Sequence, residues 1–122
     1  MADAENTVVL VADADVRILE DVSSILEKAG FTVKTAADAV TVLEVVARHG
    51  DAIRLFIVDV ALAGSSPELI SDVHRAFPGI RFLFTSTGSQ DSRHPVLEKP
   101  FRRSQLLGQV LKAIDAPLTR TA

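Results

Sequence analysis

Carboxylate side chains follow two of the apolar runs in this chain. Asp13 and Asp15 come directly after TVVLVA, and Asp59 comes directly after LFIV. Clustered carboxylates repel one another, and a hard cation such as Mg²⁺ relieves that repulsion. A carboxylate beside Mg²⁺ can also attack phosphorus and form an aspartyl phosphate. These three residues therefore predict a site for metal binding and phosphoryl chemistry.

Hydroxyl and ammonium groups end two other apolar runs. Thr85 and Ser86 follow IRFLF, and Lys99 ends VLEK. Such groups could hold the oxygens of a phosphoryl group. Taken singly, these residues also have structural interpretations: Asp15 as a helix N-cap, the hydroxyls as strand-end residues, and the lysine as a solvated charge. Their occurrence together at four run ends favours a functional site.

Strand and helix patterns alternate along the chain and would position these residues. Short apolar runs predict strands at 7–12, 31–35, 55–60, 80–85 and 96–99. Helical spacing of apolar residues predicts helices at 15–30, 39–49, 67–77 and 104–114. The alternation predicts a parallel sheet covered on both faces. Ligands bind beyond the carboxyl ends of the strands in such a sheet, which is where the polar residues converge.

Local signals predict where the helices begin and end. Asp38 and Ser104 are predicted N-caps, and Gly30 and Gly50 are predicted stops. Pro67 is predicted at the first position of a helix that follows a mobile Gly-Ser loop, ALAGSS.

The segment that connects the last two predicted strands is unusual. Its sequence, TGSQDSRHP at 87–95, has no large apolar side chain. It is also shorter than the about 11 residues of an average helix. We therefore expect a loop or at most one helical turn where the alternation would place a crossover helix.

Composition limits the possible classes of protein. A chain of 122 residues predicts a single domain, 1–122, with a core at about 7–115 and frayed ends. The net charge of -3 argues against a nucleic-acid partner, and the absence of cysteine excludes disulfides and thiolate sites. MADAEN is not a secretory signal, and no apolar run approaches the ~20 residues of a membrane span. We expect a cytoplasmic protein with no membrane partner.

The chain resembles the receiver domains of two-component response regulators over about residues 7–115. The matching motifs are VLVADAD, FIVDVALAG, FLFTSTG and VLEKPF, of which the last is the most specific. The resemblance implies a doubly wound α/β fold whose five-stranded parallel sheet has the flavodoxin-like order 2-1-3-4-5. It also implies that residues 87–95 stand in for the family's fourth helix, which is missing or reduced to a loop.

The resemblance implies a phosphoacceptor and a metal site. Asp59 matches the aspartate that accepts a phosphoryl group from a histidine kinase or phosphotransfer protein. Asp13 matches the first residue of the acidic pair that helps to hold Mg²⁺, and the backbone carbonyl of Ala61 matches a further metal ligand. Ala14 departs from the family, because a methyl group stands where the second acidic residue should bind the metal. Such a loss is expected to weaken metal binding at least 10- to 100-fold, although Asp15 is a candidate to compensate if the strand continues that far.

The resemblance also implies a switch. Ser86 matches the hydroxyl that moves onto the phosphoryl group, with Thr85 as the alternative, and Lys99 matches the lysine that pairs with that group. Val96 departs from the family, because receivers usually carry a tyrosine or phenylalanine there that reports the movement of the hydroxyl.

Three hypotheses for the function follow. The first is a phosphoacceptor receiver that signals by protein–protein contact or phosphoryl shuttling, with an impaired metal site and at most self-phosphorylation and self-dephosphorylation as enzymatic activity. The second is a pseudo-receiver that binds a downstream protein partner without phosphorylation. The third is a phosphatase of the haloacid dehalogenase type, which DADVR resembles, with Asp13 as the nucleophile.

Overall fold

A computed structural model of the chain describes residues 7–87 and 96–115. Within these residues the strands are β1 (Val8–Ala12), β2 (Thr32–Ala36), β3 (Ile53–Asp59), β4 (Arg81–Ser86) and β5 (Val96–Glu98). The helices are α1 (Val16–Lys28), α2 (Ala39–His49), α3 (Val60–Ser65), α4 (Leu69–Ala76) and α5 (Arg103–Asp115). All strand pairs are parallel, in the order β2-β1-β3-β4-β5. This order confirms the predicted fold class.

The sheet is buried on both faces because its central strands are apolar on both faces. In β3, Leu55 and Ile57 pack on the side of α1 and α5, whereas Phe56 and Val58 pack on the side of α2, α3 and α4. None of these four side chains is more than 1% exposed. The alternation of sides along the strand follows from its two-residue period, and it confirms the prediction from the continuous apolar run.

The cap predicted at Asp38 and the structural interpretation of Asp15 as a cap are confirmed. The Asp15 side chain accepts a hydrogen bond from the N–H of Arg17 at the start of α1. The Asp38 side chain accepts one from the N–H of Thr41 at 2.8 Å, and this backbone hydrogen bond lowers the pKa of the exposed carboxyl. Gly30 follows α1 with a positive φ of 101°, a conformation that favours glycine.

The prediction of a loop at ALAGSS is wrong, because Val60–Ser65 form α3. The side chain of Asp59 caps this helix, since its Oδ2 accepts a hydrogen bond from the N–H of Leu62 at 3.3 Å. The Leu62 side chain is buried in the core. The cap and the burial of this leucine therefore stabilise a helix here, although the small residues of the segment favour a loop. The next helix, α4, begins at Leu69 and not at Pro67.

The predicted N-cap of the last helix is also wrong. Because α5 begins at Arg103, Ser104 lies inside its first turn. The side chain of Gln105 reaches back instead, and its Oε1 accepts a hydrogen bond from the N–H of Arg102 at 2.7 Å. This is the reciprocal half of a capping box, made without a hydroxyl at the cap.

The segment that connects β4 to β5 lies largely outside the described part of the chain. Of the loop expected at 87–95, the structure describes Thr87 alone. The helix named α4 here lies before β4 and does not bear on that expectation. Among the described residues, none of the helices has the length and apolar character that crossing a membrane requires.

Candidate functional site

The carboxyl ends of the strands bring the predicted site residues to one edge of the sheet. Asp13 directly follows β1, Asp59 ends β3, and Lys99 directly follows β5. Thr85 is the register partner of Asp59, and Ser86 ends β4. The two aspartates and the two hydroxyl residues are all buried. Such burial is unusual for carboxylates, which are seldom buried unless they are paired.

Lys99 pairs with both buried carboxylates. Its Nζ lies 2.5 Å from Oδ2 of Asp13 and 2.9 Å from Oδ1 of Asp59. The side chains of the lysine and the two aspartates are 10%, 5% and 11% exposed. The three residues therefore form one ion-paired cluster that water reaches only at its edge.

Backbone N–H groups hold the other two carboxylate oxygens. The N–H of Asp15 donates to Oδ1 of Asp13 at 2.9 Å, and the N–H of Leu62 donates to Oδ2 of Asp59 at 3.3 Å. Each of the four oxygens thus accepts a hydrogen bond from the chain itself. Charge-assisted bonds of this kind fix the carboxylates in place.

The position of Lys99 is fixed by the sheet. Its backbone N–H donates to the carbonyl of Ser86 at 2.7 Å, which continues the β4–β5 ladder past Glu98. A cis peptide bond joins Lys99 to Pro100. Nearly all cis bonds occur at X-Pro, but no local pattern in the sequence indicates this one.

Opposing effects act on the ammonium group of Lys99. Burial lowers its pKa, but hydrogen bonds and charge attraction from Asp13 and Asp59 outweigh burial and raise the pKa above its ordinary value. The lysine is therefore charged throughout the neutral range and neutralises one of the two carboxylate charges.

The predicted role of Asp15 depends on a strand that does not continue. β1 ends at Ala12, and Asp15 is an exposed residue whose carboxylate is engaged as the cap of α1. Ala14 is exposed beside it and offers no oxygen ligand from its side chain. The compensating role of Asp15 as a metal ligand stays a prediction.

The described residues do not fit the metal site that the resemblance implies. No group of three or more His, Cys, Asp or Glu side chains in residues 7–87 and 96–115 could hold a metal ion. The two buried aspartates are committed to Lys99 and to backbone donors. Ala61 lies in the first turn of α3, and its carbonyl stays a predicted ligand.

The switch residues are at the expected edge, but their roles stay predictions. Thr85 lies opposite Asp59 in the strand register, and Ser86 is one position further on. Since successive strand residues point to opposite faces, the register favours Thr85 as the hydroxyl beside Asp59. Val96 is the register partner of Phe84 and packs, half-buried, against the core on the α2 side.

Comparisons with known proteins find one similar curated sequence and many similar structures. No family model matches the chain. The sensor kinase CckA of Brucella abortus (strain 2308) is 29% identical over an alignment of 119 residues, and the match covers 89% of this chain and 12% of that protein. The chain therefore spans about an eighth of the length of the curated relative it matches.

Solved structures match the chain over about nine tenths of its length. A response regulator from Thermotoga maritima matches with a TM-score of 0.80 and 26% identity, covering 91% of this chain and 99% of that one. A CheY-like receiver domain protein from Methanospirillum hungatei JF-1 matches with a TM-score of 0.76 and 23% identity, covering 89% and 94%. The predicted resemblance to response-regulator receiver domains is confirmed. Receiver domains generally bind Mg²⁺ at the phosphorylation site, and whether this chain does so stays a prediction.

Proposed function

We propose that the chain is a phosphoacceptor receiver of a two-component phosphorelay and that Asp59 is the phosphorylated residue. One observation carries the proposal: the Asp59 carboxylate is buried at the carboxyl end of β3 with the ammonium group of Lys99 2.9 Å away. A nucleophile and a fixed cation thus stand side by side at the edge where ligands of open α/β sheets bind. The likeness to response regulators and to a sensor kinase supports the same class of function.

The geometry suggests how the reaction would proceed. Oδ2 of Asp59 is the less tightly held oxygen, since its donor is a backbone N–H at 3.3 Å. This oxygen attacks the phosphorus of the donor, a new O–P bond forms, and the bond from phosphorus to the leaving group breaks. With acetyl phosphate the leaving group is acetate, and with a phosphohistidine it is the imidazole. Lys99 stabilises the negative charge on the transferred group.

The partners follow from this chemistry. A histidine kinase or a phosphotransfer protein supplies the phosphoryl group, and a downstream protein receives the signal by contact or by phosphoryl transfer. The net charge of -3 does not favour a nucleic-acid partner. We place the protein in the cytoplasm, where a receiver meets the phosphorylated histidine.

A second candidate function has its own supporting observation. All four oxygens of Asp13 and Asp59 already accept hydrogen bonds from the chain, and Ala14 supplies no further oxygen. A site whose carboxylate oxygens all have hydrogen-bond donors within the chain suits a pseudo-receiver, which would bind its partner without phosphorylation.

Intact-mass measurement after incubation with acetyl phosphate separates the candidates. We would compare wild type, Asp59→Asn and Ala14→Asp, each with and without Mg²⁺. One added phosphoryl group on wild type that is absent from Asp59→Asn is the result expected. Labelling of Ala14→Asp alone would favour the pseudo-receiver.

Two controls complete the experiment. Circular dichroism would verify that each variant is folded, so that missing label reports chemistry. The phosphatase alternative requires turnover of a generic phosphate ester that is lost in Asp13→Asn and kept in Asp59→Asn. No label on any folded form would overturn the proposed phosphoacceptor role.

A further inference from the structure

Lys99 occupies the position between the two buried carboxylates. Its Nζ is within hydrogen-bond distance of Oδ2 of Asp13 and Oδ1 of Asp59 at once. A divalent ion held by the same two carboxylates would have to share them with this ammonium group. We propose that Lys99 is the resident cation of this site, and that Mg²⁺ binds there only by displacing its ammonium group.

The hydrogen bonding of the carboxylates supports this assignment. The oxygens that face away from Lys99 accept from the N–H groups of Asp15 and Leu62, so both carboxylates are oriented by the chain. Mg²⁺ requires a near-octahedral shell of oxygens at short distances and gives up its own water reluctantly. Carboxylate oxygens that already accept hydrogen bonds are weak replacements for the water that Mg²⁺ would have to give up.

The charges at the site point the same way. Two carboxylates and one ammonium group leave a net charge of about one negative unit among Asp13, Asp59 and Lys99. A carboxylate at position 14 would raise the negative charge by one unit, but Ala14 supplies none. The single positive charge of Lys99 therefore neutralises a larger fraction of the carboxylate charge than it would beside three carboxylates.

The lysine is also held firmly enough to act as a fixed ion. Its side chain is 10% exposed, and its backbone N–H is bonded to the carbonyl of Ser86. An exposed lysine would lose side-chain freedom on pairing and gain little. Here the backbone bond fixes the start of the side chain, and the ammonium group at its end lies buried beside the two carboxylates.

A titration with Mg²⁺ tests the proposal. Wild type, Lys99→Met and Lys112→Met would be titrated, following the backbone amide signals of Asp13, Asp59 and Ala61 by NMR. Lys112 is an exposed lysine on α5, so its replacement matches the change in net charge without touching the site. Lys99→Met is expected to bind Mg²⁺ at least about tenfold more tightly than wild type, because a positive charge beside both ligands has been removed.

An unchanged Mg²⁺ affinity would overturn the proposal. If folded Lys99→Met binds Mg²⁺ no more tightly than wild type and Lys112→Met, the lysine does not compete with the ion. Lys99→Arg, which keeps the charge, is expected to resemble wild type. Tight binding by Lys99→Arg would also contradict the proposal.

A measurement on wild type keeps the test decisive should Lys99→Met fail to fold. The ammonium group of Lys99 donates to two carboxylates, so its protons are expected to give an NMR signal protected from exchange with water. Saturation with Mg²⁺ is expected to abolish this signal in step with the shifts of the Asp13 and Asp59 amides. Binding with the signal unchanged would overturn the proposal. The inference concerns the site of the proposed function, but none of these readouts requires phosphoryl transfer, so the two can fail separately.

Discussion

The ammonium nitrogen of Lys99 lies 2.9 Å from Oδ1 of Asp59, although the two residues are 40 positions apart in the chain. Asp59 ends β3 and Lys99 directly follows β5, and these two strands are separated in the sheet by β4. The lysine therefore reaches across the end of a whole strand to meet the carboxylate. This reach is possible because all five strands are parallel and end at the same edge.

Restoring a carboxylate at position 14 is expected to restore metal binding. Ala14→Asp should bind Mg²⁺ about 10- to 100-fold more tightly than wild type, since it adds an oxygen ligand beside Asp13. Position 14 is exposed and outside β1, so the fold should accept the change. Isothermal titration calorimetry measures the affinity directly, and the chain has no Trp or Tyr for a fluorescence titration. Ala14→Asn is the matched control, and equal affinity of the two variants would contradict the role of the charge.

Replacement of Asp15 separates its cap role from a role as a metal ligand. Asp15→Ala should lower the free energy of unfolding by about 1 kcal/mol, because the N–H of Arg17 loses its partner at the start of α1. Asp15→Asn keeps a good cap and should stay near wild type. Urea denaturation followed by circular dichroism measures both. A loss of Mg²⁺ affinity in the stable Asp15→Asn variant would show that Asp15 also serves the metal.

The lowered pKa of Asp38 predicts a contribution to stability that depends on pH. The backbone hydrogen bond from Thr41 favours the charged carboxylate in the folded state, so its pKa there is below the value of 3.8. The carboxylate therefore contributes fully above pH 3.8, and the contribution is lost as the pH falls through the lower folded-state pKa. The difference in unfolding free energy between wild type and Asp38→Asn should shrink over that range. A difference that is constant from pH 6 down to the acid limit of folding would contradict this assignment.

Substitution of Gly50 is expected to destabilise the fold because a side chain there would overlap the Phe77 ring, and not because its backbone angles require glycine. It has helical angles, with φ at -52°, but a Cβ there would overlap the ring of Phe77. Gly50→Ala should lower the free energy of unfolding by about 1–3 kcal/mol through overpacking. Gly108 lies in α5 with open space around it, so Gly108→Ala should instead stabilise by about 0.5–1 kcal/mol. Thermal unfolding by circular dichroism compares the two, and similar effects would mean that the Phe77 ring moves aside without cost.

The sequence by itself determined the elements that depend on local signals. Asp38 was predicted as a cap and Asp15 had a cap as its structural interpretation, because a cap needs only a short polar side chain and the N–H groups of the next turn. The continuous apolar run of β3 predicted a strand buried on both faces, since a strand alternates sides at every residue. The same reasoning failed at ALAGSS, where composition predicted a loop and the burial of Leu62 stabilises α3.

Only the tertiary structure decided how the site is arranged. The sequence placed Asp13, Asp59 and Lys99 at strand ends, and the resemblance to receivers gave each a role. Neither indicated that one lysine pairs with both carboxylates, or that backbone N–H groups take the remaining oxygens. The physical reason is that these bonds join groups far apart in the chain, whose distances are fixed by strand order and register. Local patterns carry no information about those distances until the sheet has formed.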